Sequence, residues 1–104
     1  MKQLTKNLLK INFQGIDWSK VSKIEFAFSQ NIGEKPLKTA KYPNSSTTMV
    51  SDNVVGVIWN SEETALFKAG KPFYCDTRIT LSDSVYQPET PIVKLVMNPT
   101  LFEE

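Results

Sequence analysis

The sequence predicts an all-β fold, an immunoglobulin-like antiparallel β-sandwich of about seven strands with one short helical crossover. Three observations predict it. Apolar side chains recur at every second position along much of the chain, a rhythm that a helix would scatter around its circumference. Turn-forming residues interrupt that rhythm at short intervals. No strand–helix–strand alternation exists from which a parallel sheet could be built. At 104 residues, 40% hydrophobic and 11% aromatic, the chain fits one globular domain over residues 1–104. A small barrel is the main architectural alternative.

Each element follows from its own residues. Leu9, Ile11 and Phe13 alternate with Lys10, Asn12 and Gln14 to give a half-buried first strand, which Gly15 ends. Trp18, Ser19 and Lys20 lead into a second strand with Ile24, Phe26 and Phe28 on one face. Asn31 to Glu34 is a turn cluster, and residues 37–42 form a third strand. Its weak apolar contrast and its two lysines, Lys38 and Lys41, predict an edge position where charge discourages strand addition. Residues 47–50 give a short fourth strand. The run Val54-Val55-Gly56-Val57-Ile58-Trp59 is β-branched and too short for a helix, so a central strand buried on both faces is expected. Asn60 or Ser61 can cap one or two helical turns, with Glu62 and Glu63 favoured by the helix dipole and Gly70 as the stop. Residues 71–81 form the clearest strand, with Phe73, Cys75, Thr77, Ile79 and Leu81 on one face. A loop through Pro88 and Pro91 follows. The last strand covers residues 92–97, and the apolar pair Leu101 and Phe102 in the tail is expected to dock.

The same residues exclude most chemistry. Histidine is absent, which removes the commonest general base and metal ligand, and with it serine–histidine and cysteine–histidine nucleophiles. One cysteine, Cys75, permits neither an intrachain disulfide nor a structural zinc site. Glu62 and Glu63 are helix neighbours that point about 100° apart and do not converge. Asp52 and Asp83 sit in turns without the alternating oxygen ligands of a calcium loop. Gly15, Gly33, Gly56 and Gly70 are too scattered to cradle a phosphate. We therefore expect no enzyme, no cofactor and no metal. Twelve basic and eleven acidic residues are interspersed, for a net charge of +1, so no nucleic-acid partner is expected. No run approaches the roughly 18 apolar residues of a membrane helix, and the first residues lack a signal peptide's apolar core, so the expected location is the cytoplasm.

Trp18, Tyr42 and Tyr86 lie beside turns or at an edge, and they are the candidate interaction surface for protein or sugar. Arg78, the only arginine, shares a strand face with Tyr74 and Asp76, and it is placed to stack on the first or pair with the second.

Val55 and Val57 lead into Trp59-Asn60-Ser61-Glu62-Glu63-Thr64-Ala65-Leu66-Phe67-Lys68-Ala69-Gly70, followed by the long strand around Arg78. This stretch resembles the small immunoglobulin-like phage structural proteins of Gram-positive prophages, which are similar to the N-terminal domain of baseplate upper proteins. Their segment T-x-E-E-T-x-x-F-x-x-G is matched at Glu63, Thr64, Phe67 and Gly70, with Asn60 or Ser61 near the capping position. Tyr74, Cys75 and Asp76 replace a more aliphatic stretch, and Pro88 and Pro91 lengthen the last loop. The resemblance implies a non-enzymatic tail- or baseplate-associated assembly or adaptor module. Its partners would be other phage structural proteins or further copies of itself, first in the host bacterial cytoplasm and then in the virion. A carbohydrate- or host-surface-binding sandwich is the alternative expectation, and it needs two or three exposed aromatics on one face.

Overall fold

The computed structural model describes residues 1, 6–13, 15–31, 33–86 and 93–97. Two antiparallel sheets face each other. The smaller has the order β1 (Asn7–Asn12), β5 (Val54–Trp59), β4 (Thr47–Ser51). The larger has the order β3 (Lys38–Tyr42), β2 (Val21–Ser29), β6 (Pro72–Leu81), with β7 (Val85–Tyr86) and β8 (Val93–Val96) both on the outer edge of β6. Tyr86 and Val85 pair with Ile79 and Thr80, while Val93–Val96 pair with Cys75 to Pro72. β7 and β8 are thus two pieces of one strand position, which keeps the expected strand count. The loop expected between Ser82 and Pro91 already contains β7; Pro88, Pro91 and the tail pair Leu101 and Phe102 lie outside the described residues.

The period-two rhythm becomes a dry interior. Ile24, Phe26 and Phe28 from β2 and Phe73, Cys75 and Ile79 from β6 meet Ile11 from β1 and Val55, Val57 and Trp59 from β5. Trp59 stands at one end of this core, with its ring edge-on to Phe28, Phe67 and Phe73 at centroid distances of 4.9, 5.2 and 5.7 Å. Such aromatic contacts add about 1 kcal/mol each beyond the area they bury.

The chain crosses between the sheets three times, from β1 to β2, from β3 to β4 and from β5 to β6, and the first and last crossings are built corners. Asp17 caps the short 3-10 turn Trp18–Lys20, accepting from the Ser19 backbone N–H, and the turn delivers the chain from β1 to β2. The helix α1 (Ser61–Ala65) carries it from β5 to β6. Asn60 is its cap. The Asn60 side chain accepts from the Glu63 N–H, and the Glu63 carboxylate accepts from the Asn60 N–H, a reciprocal capping box. In the seven-stranded immunoglobulin arrangement the second strand lies with the first, fifth and fourth. Here β2 sits in the larger sheet between β3 and β6, so β1 pairs directly with β5.

Two expectations are corrected. β5 is central but is buried on one face only, because each sheet of a two-sheet sandwich has one covered face: Val55, Val57 and Trp59 point in, while Ile58 stays 44% exposed. β3 is an edge strand, but Lys38 does not guard that edge. It points inward and is buried. Its ammonium donates to a Glu63 carboxylate oxygen and lies 5.1 Å from the centre of the Trp59 ring.

Candidate interaction surface

The most distinctive surface is the outer face of the smaller sheet. Pairing places Leu8 directly opposite Ile58, and Lys10 opposite Gly56. Antiparallel partners point to the same side of the sheet, so Leu8 and Ile58 share the solvent face with Gly56 and with its exposed polar neighbours Lys10 and Thr48. Leu8 and Ile58 are each 44% exposed and Val50 is 39% exposed. Gly56 is buried between them. A Cβ built on it would lie 2.7 Å from Leu8 Cδ1 and 2.9 Å from Val50 Cγ2, so the glycine lets the two side chains close over the strand. Single exposed leucines are ordinary on protein surfaces. A contiguous cluster spread across three paired strands is not, and such patches mark interaction sites.

The three aromatics expected to form a surface do not sit together. Trp18 and Tyr42 are neighbours, with rings edge-on at 6.2 Å, but both are half-buried and pack against the core. Trp18 also lies edge-on to Phe13 at 6.2 Å, and its Nε1–H donates to Asn53 Oδ1 at 2.6 Å, tying the 3-10 corner to the β4–β5 turn. Asn53 holds that turn with φ at +64°. Tyr86 is exposed on β7, at the edge of the larger sheet opposite β3 and Tyr42, with β2 and β6 between them.

The outer face of the larger sheet is polar. Arg78 pairs with Glu25 on the neighbouring strand at 3.8 Å, a cross-strand contact, and Lys23 reaches the same carboxylate at 3.6 Å. A shallow groove of about 470 Å³ runs over Ala27 between Thr39, Lys41, Asp76 and Arg78. Its two carboxylates are held separately: Glu25 by the cations beside it, Asp76 by the Thr77 N–H at 3.0 Å.

Among the described residues, two groups have displaced proton affinities. Burial, and secondarily the Asp76 charge, pushes the Cys75 thiol up to about 12, which makes it a packing residue instead of a nucleophile. Hydrogen bonds from the Ser19 hydroxyl and backbone, with a smaller contribution from the Lys20 charge, hold the exposed Asp17 carboxyl below its usual range. Among the described residues, no cluster of three or more cysteine, aspartate or glutamate side chains is placed to hold a metal ion, and no helix is long and apolar enough to cross a membrane.

The residues of the apolar face were missed by a reading that looked for exposed aromatics. A signal for them existed. Leu8 and Leu9 are adjacent, as are Val57 and Ile58, so each strand carries apolar residues on both of its faces. Fold and surface together define an antiparallel β-sandwich with one polar outer face and one outer face that carries an apolar patch, Leu8, Val50 and Ile58, beside Lys10 and Thr48. Neither a family model, nor a curated protein, nor a solved structure matches the chain.

Proposed function

We propose that this protein is a non-enzymatic structural module that assembles with neighbouring proteins of a bacteriophage tail or baseplate. The observation that carries the assembly part is the apolar outer face of the smaller sheet, where Leu8, Val50 and Ile58 close over Gly56. β-Sheets that pack face to face bury this kind of surface, and the occupant we assign is a sheet or strand of an adjacent structural protein. The phage context rests on the resemblance carried by Glu63, Thr64, Phe67 and Gly70.

Co-expression with the products of flanking tail genes, followed by size-exclusion chromatography with light scattering, tests the reading. A stoichiometric complex that Ile58→Lys abolishes, while the variant remains folded, is the expected result. A chain that stays monomeric at high concentration and elutes apart from every one of those products would refute it.

A further inference from the structure

A second surface, which shares no residue with the apolar face, takes the reading further. The turn between β2 and β3 and the segment between α1 and β6 stand side by side and enclose a groove of about 260 Å³. Gln30 locks the two walls together. Its Nε2 donates to the Lys68 carbonyl at 2.8 Å, and its Oε1 accepts from the Lys68 N–H at 2.7 Å. The far wall is braced from behind: Gly70 N–H donates to the Met97 carbonyl at 2.7 Å, and Met97 N–H donates to the Lys71 carbonyl at 3.3 Å. The near wall is pinned by the Leu37 N–H, which donates to the Phe28 carbonyl at 2.9 Å. The groove is therefore held open by backbone bonds on both sides, so an occupant would meet a preorganised surface.

Its chemistry is one-sided. Lys35, Lys68 and Lys71 line it, and Leu37 and Leu66 add apolar side chains that are 42% and 55% exposed. Among the described residues none of these three lysines takes part in an ion pair; those pairs belong to Lys23, Lys38 and Arg78. The one acid in the groove, Glu34, is turned to its own loop, where its carboxylate accepts from Asn31 Nδ2 at 3.2 Å. A chain that is almost neutral overall thus gathers an excess of positive charge around two exposed leucines. We infer that this groove binds an acidic peptide segment of a partner protein, with one or two apolar side chains resting on Leu37 and Leu66 and carboxylates meeting Lys35, Lys68 and Lys71. A nucleic-acid backbone is the poorer fit, because it offers phosphates but nothing for the leucines; a lipid surface is the poorer fit because the binding element is a walled groove.

Fluorescence anisotropy of the full chain with a labelled short peptide, in which a leucine–phenylalanine pair is flanked by glutamates, tests the inference. Saturable binding is expected, weakened by added salt and lost when the glutamates are replaced by glutamine. The paired change Lys68→Glu with Lys71→Glu is expected to weaken it about tenfold, as is Lys35→Glu on the opposite wall. Leu66→Ser should weaken it without altering its salt dependence. All these positions are exposed, and unchanged thermal melts of the variants would show that the fold persists. The inference is overturned if the peptide does not bind saturably, if the lysine variants bind it as well as the parent chain, or if duplex DNA or phosphatidylglycerol vesicles bind more tightly than the peptide. Ile58→Lys leaves this binding unchanged, so failure here is separable from failure of the apolar-face assignment.

Discussion

Lys38 shows how far a single side chain can depart from what its neighbours in sequence suggest. Its strand reads as a poorly contrasted edge, and a lysine at an edge is normally solvated. Register decides otherwise. Phe28 pairs with Lys38 and Phe26 with Ala40, which commits Lys38 to the core side. A buried ammonium is tolerated only with a partner, and Glu63, the capping-box acid of α1, supplies it. One carboxylate thereby caps the crossover helix, neutralises the core lysine and ties β3 to α1. Removing either partner should have unequal effects. Glu63→Ala strands the buried charge and loses the cap, so urea denaturation should show a loss of about 3 kcal/mol. Lys38→Met keeps the packing against Trp59 and leaves Glu63, which is 30% exposed at its side chain, free to be hydrated; that loss should be about 1 kcal/mol or less. Equal losses would contradict the arrangement. Cys75 makes a second residue-scale prediction. Its thiol titrates at about 12 in the folded chain against a reference of 9.0. A group whose folded value is raised stabilises fully below the unfolded value, and that contribution drains away as pH climbs from about 9 towards 12. Ellman's reagent at neutral pH should therefore find no reactive thiol in the native protein and one after denaturation, and Cys75→Ala should lessen the alkaline loss of stability.

At the scale of elements, β2 and β6 were legible because each alternates cleanly and each is buried on one face against the other sheet. The helix cap was legible for the same reason, since Asn60 and Glu63 are close in sequence and act locally. β5 was only half legible. Its unbroken apolar run signals cover on both faces, and the folded chain supplies cover on one. The two-residue β7 was invisible because Val85 and Tyr86 carry no alternation of their own and depend on the edge of β6. Gly56 links element to function. Gly56→Ala pushes a methyl group against Leu8 and Val50, both of them exposed. Stability should change by less than about 1 kcal/mol in thermal melts, because those side chains can swing into solvent. Binding of the partner proposed for this face should weaken, because the surface is no longer flat.

For the whole molecule, the sandwich follows from a general rule: a sheet must bury one face, and two sheets bury each other's. The position of β2 in the larger sheet did not follow, because strand order depends on which way the chain turns at a corner. That turn is fixed by Asp17 and Trp18 together with Asn53, which lies 35 positions further along the chain and meets Trp18 only in the folded structure. The consequence is a narrow sheet, β1-β5-β4, whose outer face carries an apolar patch, and a wide one whose outer face is charged. The central claim is that the narrow sheet's outer face is the assembly surface. Hydrogen exchange of the chain, alone and in complex with the structural partner we propose for this face, tests it most directly. The account predicts new protection in β1, β4 and β5 around Leu8, Val50 and Ile58, with β2 and β6 unchanged. Protection confined to the charged face of the larger sheet, with β1 and β5 exchanging as in the free chain, would contradict it.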